Sequence, residues 1–361
     1  MSPDVCRLLD ANLNRATEGL RVLEDIARFV IDDAALSREL RLARHSVADA
    51  GRGRDIELLS GRDSAGDVGR ESGLRVGGKW DMVAVVRANA KRAEESLRVI
   101  EELARLPDMP VRIDVATAER LRYAVYELEK RIVARILRSG PLGCIRGLYV
   151  VVDRQAAGAR PLEGIAAEAI DGGASIVQLR DKCGERDEIY HEALEVAAVC
   201  RDKGALFIMN DYADIAALVG ADGLHIGQHD LPLACVRTLL PLHALVGVSC
   251  ETEAEVNRAM DEGADYVAVG AVFPTAQKEV RRVTGLDLVR WSRERLGTMP
   301  LVAIGGIGLG NVESVMRSGA DAAAVIGAVV MQPDVRQAAV EMCVAIERAL
   351  EWRQQHGTKP A

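Results

Sequence analysis

The sequence predicts a two-part α/β chain. An all-α N-terminal domain over residues 1–139 carries an internal helix-pair repeat, residues 140–147 form a linker, and a C-terminal (β/α)8 TIM barrel fills residues 148–361. Three observations predict this. Residues 14–28 reappear as residues 91–105. Eight strand-like apolar runs then alternate with helical patterns. Within that half, GADGLHIG, GADYVAVG and GADAAAVIG each read as a helix stop, a turn and a buried strand.

The totals exclude several classes. Either half of 361 residues can bury a core. Aromatic residues are only 3% and the net charge is −8, which together argue against a nucleic-acid partner. No run approaches the roughly 18 apolar residues of a membrane span. The start, MSPDVCRLLDANLN, lacks the basic-then-apolar layout of a signal peptide. Seven scattered cysteines without a CxxC read as reduced thiols. A cytoplasmic protein acting on small molecules is expected, with self-association as a homo-oligomer left open.

In the first half, NRATEGLRVLEDIAR and KRAEESLRVIEELAR agree at nine of fifteen positions. A weaker echo follows, Arg44-His45-Ser46-Val47 against Arg122-Tyr123-Ala124-Val125. The unit is therefore a helix pair used twice. Ala16, Leu20, Leu23 and Ala27 make one apolar stripe; Ala93, Leu97, Ile100 and Ala104 make the other. Arg15, Glu18, Arg21 and Glu24 also match Arg92, Glu95, Arg98 and Glu101. These charges are either surface ion pairs or the lining of a cleft for an anionic ligand. Between the copies, the glycine- and arginine-rich residues 51–79 read as a long loop, either a surface excursion or a flap that grips phosphate.

In the second half the strand-like runs are Leu148–Asp153, Ser175–Arg180, Leu206–Asn210, Gly223–Gly227, Leu245–Cys250, Tyr266–Val272, Leu301–Gly305 and Ala322–Ile326. Eight such runs in a barrel-sized segment put the chemistry at the C-terminal ends of the strands. There Asp211 and Asp230 follow runs three and four. Two hard oxygen ligands with room for water and phosphate suit Mg²⁺, although Asp after a strand is also a common cap. Gln178, Arg180 and Lys182 alternate and leave on one face. Arg180 is either an anion grip or a salt-bridge partner of Asp153. Thr275, Lys278 and Arg281 or Arg282 follow run six. Gly305, Gly306 and Gly327 allow a phosphate close to the backbone. Ser249-Cys250 has no obvious histidine partner, and His225 reads as a packed or hydrogen-bonded residue. Such a site is rich in anion grips and poor in acid–base groups, which suits departure of a diphosphate.

Over about 215 residues the motifs VQLRDK, IMND, GLHIGQHD, GVS, FPT..K and AIGGI resemble the thiamine phosphate synthases. The resemblance implies that Asp211 and Asp230 bind Mg²⁺. It implies that Gln178, Arg180, Lys182, Asn210, Ser249 and Lys278 hold a hydroxymethylpyrimidine diphosphate, with Arg180, Lys182 and Lys278 acting on the leaving group. Thr275, Gly306, Ile326 and Gly327 would hold a thiazole phosphate. Gln277 and Gly327 depart from the family's usual threonine and serine, both on the thiazole-phosphate side. LDANLNRATEGLRVLEDIARF, RDSAGDVG and RANAKRAEESLRVIEELAR resemble a helical domain fused upstream of such synthases. That domain is associated with phosphorylating hydroxymethylpyrimidine phosphate, which brings in ATP. The rival readings are a thiazole-phosphate tautomerase-like barrel, a non-catalytic ligand sensor, and, for the first half, a structural cap.

Overall fold

The repeated segment forms the centre of the helical unit, Met1–Leu137. The computed structural model describes residues 3–53, 55–62, 80–106, 114–275 and 282–356. Among the described residues, five helices precede the first strand: α1 (Pro3–Phe29), α2 (Ala34–Ala50), α3 (Asp55–Ser60), α4 (Met82–Leu103) and α5 (Val115–Gly143). The first copy lies on α1 and the second mostly on α4. Asp33 and Asp81 cap α2 and α4, accepting the N–H groups of Leu36 and Ala84 at 2.9 and 2.7 Å. Both apolar stripes are buried apart from Ala104, and α1 packs on α2 and α4. A Cβ at Gly19 would lie 2.7 Å from the carbonyl oxygen of Asn89, so α1 and α4 approach almost backbone to backbone.

The shared charges divide by burial. Glu24 is buried and accepts from Arg41 and Arg44 of α2 at 2.9 and 2.8 Å. Glu101 is buried too and accepts from Arg98, Arg105 and, on α5, Arg122 at 2.8, 3.3 and 3.2 Å. Arg44 and Arg122 occupy the same place in the echo, so the repeat encodes a buried acid clamped by the next helix. The other shared charges are exposed. Burial alone would raise the Glu24 carboxyl, but the guanidinium groups of Arg41 and Arg44 hold it below its ordinary value. Within residues 51–79, α3 interrupts the expected loop; Leu58 is buried beside Gly51. Arg62 clamps Asp10 through two bonds of 2.6 and 3.0 Å. Residues 63–79, with the RDSAGDVG motif, lie outside the described residues.

The expected linker is not one. Residues 140–143 are the last turn of α5, and Gly147 already opens the first strand. Pro141 removes one backbone donor two residues before the helix ends, so little helix follows it. Leu142 and Ile145 then pack against the apolar cluster of the barrel interior, a tertiary contact that overrides the breaker residues.

The barrel unit, Arg138–Ala361, runs β1 (Gly147–Asp153), α6 (Arg154–Ala157), α7 (Leu162–Asp171), β2 (Ile176–Arg180), α8 (Arg186–Lys203), β3 (Leu206–Asn210), α9 (Ala213–Val219) and β4 (Gly223–Ile226). It continues with α10 (Leu233–Leu239), β5 (Leu245–Cys250), α11 (Glu253–Asp261), β6 (Tyr266–Val269), α12 (Gly285–Leu296) and β7 (Leu301–Ile304). It ends with α13 (Val312–Arg317), β8 (Ala322–Val325), α14 (Gly327–Val330) and α15 (Val335–His356). All strands are parallel, paired in sequence order and closed between β8 and β1. Alternation divides the core. Val150, Val177, Val246 and Val267 pack outward against the helices, while Tyr149, Ile176, Ile208, Tyr266 and Ala324 fill the interior.

The Gly-Ala-Asp turns explain the start of the strands. Gly220, Gly263 and Gly319 have φ of +67°, +85° and +116°, which ends the preceding helix where other residues would be strained. Asp222, Asp265 and Asp321 then each accept the N–H that opens the neighbouring earlier strand or lies next to its start: Phe207, Val246 and Leu301, all at 2.8 Å. Arg138 and Arg237 also hold Asp265, and Arg293 holds Asp321. Among the described residues, no helix is long and apolar enough to cross a membrane.

Candidate active site

The inward parity of β2 carries Gln178 and Arg180 toward the C-terminal mouth, and Asn210, His225 and Ser249 stand on β3, β4 and β5. Lys182 lies two residues beyond β2, on the loop. Arg180 is ion-paired with Asp153 at the end of the adjacent β1, so the salt bridge and the rim position are both real. Asp153 also caps α6, accepting from Ala156 at 3.0 Å.

Lys182 is ion-paired with Asp211. Asn210 donates to Asp211 Oδ1 at 2.7 Å and to the carbonyl of His225 at 3.2 Å. Asp211 has φ +62°, a left-handed conformation that costs a non-glycine residue roughly 1–3 kcal/mol and is typical of functional sites. Its N–H holds the carbonyl of His225 at 2.9 Å, which fixes the turn to the next strand. Asp230, four residues beyond β4, accepts from the N–H of Gly227 at 2.6 Å. Among the described residues, no group of three or more His, Cys, Asp or Glu side chains is placed to hold a metal.

Ser249, Thr275, Gly306, Ile326 and Gly327 come together as the lining of one cavity of about 440 Å³. Glu251, Met331 and Gln332 also line it, and nothing in their local sequence marks them. Gly305 and Gly306 have φ of +98° and +65°, and a Cβ on either would come within 2.5 Å of backbone atoms of Ala271 or Pro274. Asn311 pins this loop, donating to the carbonyl of Gly306 and accepting from the N–H of Gly308, both at 2.9 Å. Lys278, Gln277 and Arg281 lie outside the described residues.

One expectation is corrected. Ser249 does have a histidine partner: His225 Nε2 lies 2.8 Å from Ser249 Oγ. The other ring nitrogen faces the hydroxyl of Tyr266 at 3.1 Å. Cys250 is buried, and burial pushes its thiol up to about 12, which leaves it a packing residue. Sequence reasoning also missed Asp181, which organises the loop after β2 by accepting from Cys183 and Gly184 at 2.7 and 2.9 Å. It missed Tyr149 and Tyr266 as well, whose hydroxyls are 3.2 Å apart inside the barrel.

Comparison with known proteins agrees with both halves. A family model described as thiamine monophosphate synthase matches residues 148–329, and one described as the ThiD2 family matches residues 7–131. A thiamine-phosphate synthase of Thermosynechococcus vestitus is 40% identical, covering 91% of this chain and 91% of its own. One from Rhodopirellula baltica is 36% identical over 96% of this chain and 94% of its own. Among solved structures, a thiamine phosphate pyrophosphorylase from Pyrococcus furiosus superposes with a TM-score of 0.53 at 35% identity, covering 57% of this chain and 98% of that one. The chain therefore belongs to the thiamine-phosphate synthase family, with a ThiD2-family domain ahead of its barrel.

Proposed function

We propose that the barrel joins hydroxymethylpyrimidine diphosphate to thiazole phosphate, giving thiamine phosphate and diphosphate, and that the helical unit makes the pyrimidine diphosphate from its monophosphate and ATP. The observation that carries the reading is the match to synthases over at least nine-tenths of this chain, together with the cations and glycine loops at the barrel mouth.

Gln178, Asn210 and Ser249 bind the pyrimidine diphosphate, with Arg180, Lys182 and Lys278 on its phosphates. Thr275, Gly306, Ile326 and Gly327 hold the thiazole phosphate. Arg180 and Lys182 are held at the rim by Asp153 and Asp211, and the incoming diphosphate competes for both cations. The C–O bond to the diphosphate breaks first, leaving a cation stabilised by the amino-pyrimidine ring; Arg180 and Lys182 stabilise the departing charge. The thiazole nitrogen then captures the carbon. It carries no proton, so no general base is required.

Asp211 and Asp230 would hold a magnesium ion: they are hard carboxylate donors one and four residues beyond the adjacent strands β3 and β4. Asp211 is also held in a strained backbone conformation, φ +62°. When bound there, magnesium supplies charge neutralisation on the leaving diphosphate.

The test uses the intact chain with hydroxymethylpyrimidine phosphate, thiazole phosphate, magnesium and ATP, with products separated chromatographically. ATP-dependent thiamine phosphate is the expected result. Product only from preformed diphosphate would keep the synthase and overturn the kinase role. No product from either would overturn both.

A further inference from the structure

A continuous hydrogen-bond chain crosses the barrel interior and ends at two residues of the proposed pyrimidine diphosphate site. Gln178 Nε2 lies 2.7 Å from the Tyr149 hydroxyl, which lies 3.2 Å from the Tyr266 hydroxyl. That hydroxyl lies 3.1 Å from His225 Nδ1, and His225 Nε2 lies 2.8 Å from Ser249 Oγ. The three middle residues come from β1, β6 and β4. All three are buried, Tyr149 and Tyr266 almost completely. Gly247 makes the crossing feasible. A Cβ there would fall inside the Tyr266 ring, so only a bare backbone lets that ring lie across β5 with its hydroxyl between Tyr149 and His225.

Each tyrosine hydroxyl and the neutral imidazole has one proton to give, so an unbroken chain runs in one of two polarities. In one, the Gln178 amide donates to Tyr149, Tyr149 to Tyr266, Tyr266 to Nδ1, and Nε2–H to Ser249. Gln178 then offers its carbonyl oxygen to a ligand, and Ser249 offers its proton. In the reverse polarity Gln178 offers N–H and Ser249 offers only lone pairs. Burial raises both tyrosines well above their ordinary value, which keeps their protons in the chain.

Resting on the function proposed above, we propose that Tyr149, Tyr266 and His225 are positioning residues that lock the first polarity. They couple an acceptor at Gln178, suited to the amino group of the pyrimidine, to a donor at Ser249, suited to an anionic diphosphate. A ligand carrying both features fits one polarity of the chain. A ligand with an acceptor where the amino group belongs asks the two ends for opposite polarities and is rejected. The network is thus a specificity device for an amino-heterocycle joined to an anion.

The test is a double-mutant cycle on the intact chain with preformed pyrimidine diphosphate, in two backgrounds. Tyr266→Phe and Tyr149→Phe each raise KM for the pyrimidine diphosphate by roughly tenfold, the scale of one buried hydrogen bond, with KM for thiazole phosphate unchanged. Gln178→Ala and Ser249→Ala are non-additive in the native background and additive once Tyr266→Phe cuts the chain. His225→Gln, which keeps one donor and one acceptor, retains more of the pyrimidine affinity than His225→Leu. Additivity in both backgrounds overturns the proposal, while turnover by the unmodified chain leaves the synthase reading in place. If Tyr266→Phe does not fold, Tyr149→Phe cuts the same chain and decides the question. Absence of turnover by the unmodified chain overturns the synthase reading and, with it, this proposal.

Discussion

Aspartates stand at both ends of the barrel, and they are held in opposite ways. At the N-terminal face, Asp222, Asp265 and Asp321 each accept a backbone N–H at or beside the start of a neighbouring strand, and two of them are also clamped by arginines. Those partners are part of the fold and cannot leave. At the C-terminal rim, Asp153 and Asp211 hold Arg180 and Lys182, side chains that a substrate anion can claim. Asp211 even sits at φ +62°, at a cost to stability. On the function proposed above, the same residue type stabilises one face and serves binding and chemistry on the other, a division expected of this architecture.

The comparison is easiest to break at its extremes. Asp265→Ala removes a buried acceptor shared by Arg138, Arg237 and the Val246 N–H, and the expected loss is about 3–5 kcal/mol. Chemical denaturation would read it, with turnover per folded molecule unchanged. Asp211→Ala should do the reverse, lowering turnover by at least ~10²-fold while the melting temperature stays within a few degrees. A large loss of stability there would erase the distinction between the faces.

The helical unit sharpens the same contrast, between an acid clamped by arginines and one set beside another acid. Glu24→Gln removes a carboxylate that two arginines hold, at a cost of about 2 kcal/mol. The folded-state pKa of Glu24 is lowered, so its stabilisation is present above the ordinary carboxylate range. It is lost as pH falls through the lowered value, and the variant should therefore lose less stability than the parent on acidification. Glu94 is the opposite case. It is buried with Oε1 lacking a partner, and burial first, then the charge of Glu129, raises its carboxyl to about 7. The folded state holds a proton that the unfolded chain has released, so stability falls as pH rises from about 4.5 to about 7. Glu94→Gln should flatten that slope and add on the order of 1 kcal/mol near neutral pH, as pH-resolved melting would show.

Much of this was legible in the sequence because it is local. The Gly-Ala-Asp turns announced β4, β6 and β8, and the starts of six expected strands fall on the observed residue. Several expected strands ran one to three residues too far at their C-terminal ends. There the chain leaves the ladder to build the mouth, as at Gly305 and Ile326. The repeat located α1 and α4 but not the meaning of its charges. Spacing along one helix cannot reveal that Glu24 and Glu101 are held from the next helix. Pro141 and the neighbouring glycines suggested a linker because their intrinsic preferences are visible, whereas the packing of Leu142 and Ile145 is not. The chain from Gln178 to Ser249 was missed for a related reason. Tyr149 and Tyr266 are 117 residues apart and meet only because the barrel closes.

The most direct test compares Asp211→Asn with Asp222→Asn, assaying thiamine phosphate from preformed pyrimidine diphosphate and thiazole phosphate well below both melting temperatures. The account predicts that Asp211→Asn loses most turnover at near-parental stability, while Asp222→Asn melts lower and turns over normally per folded molecule. Normal turnover by Asp211→Asn would contradict it.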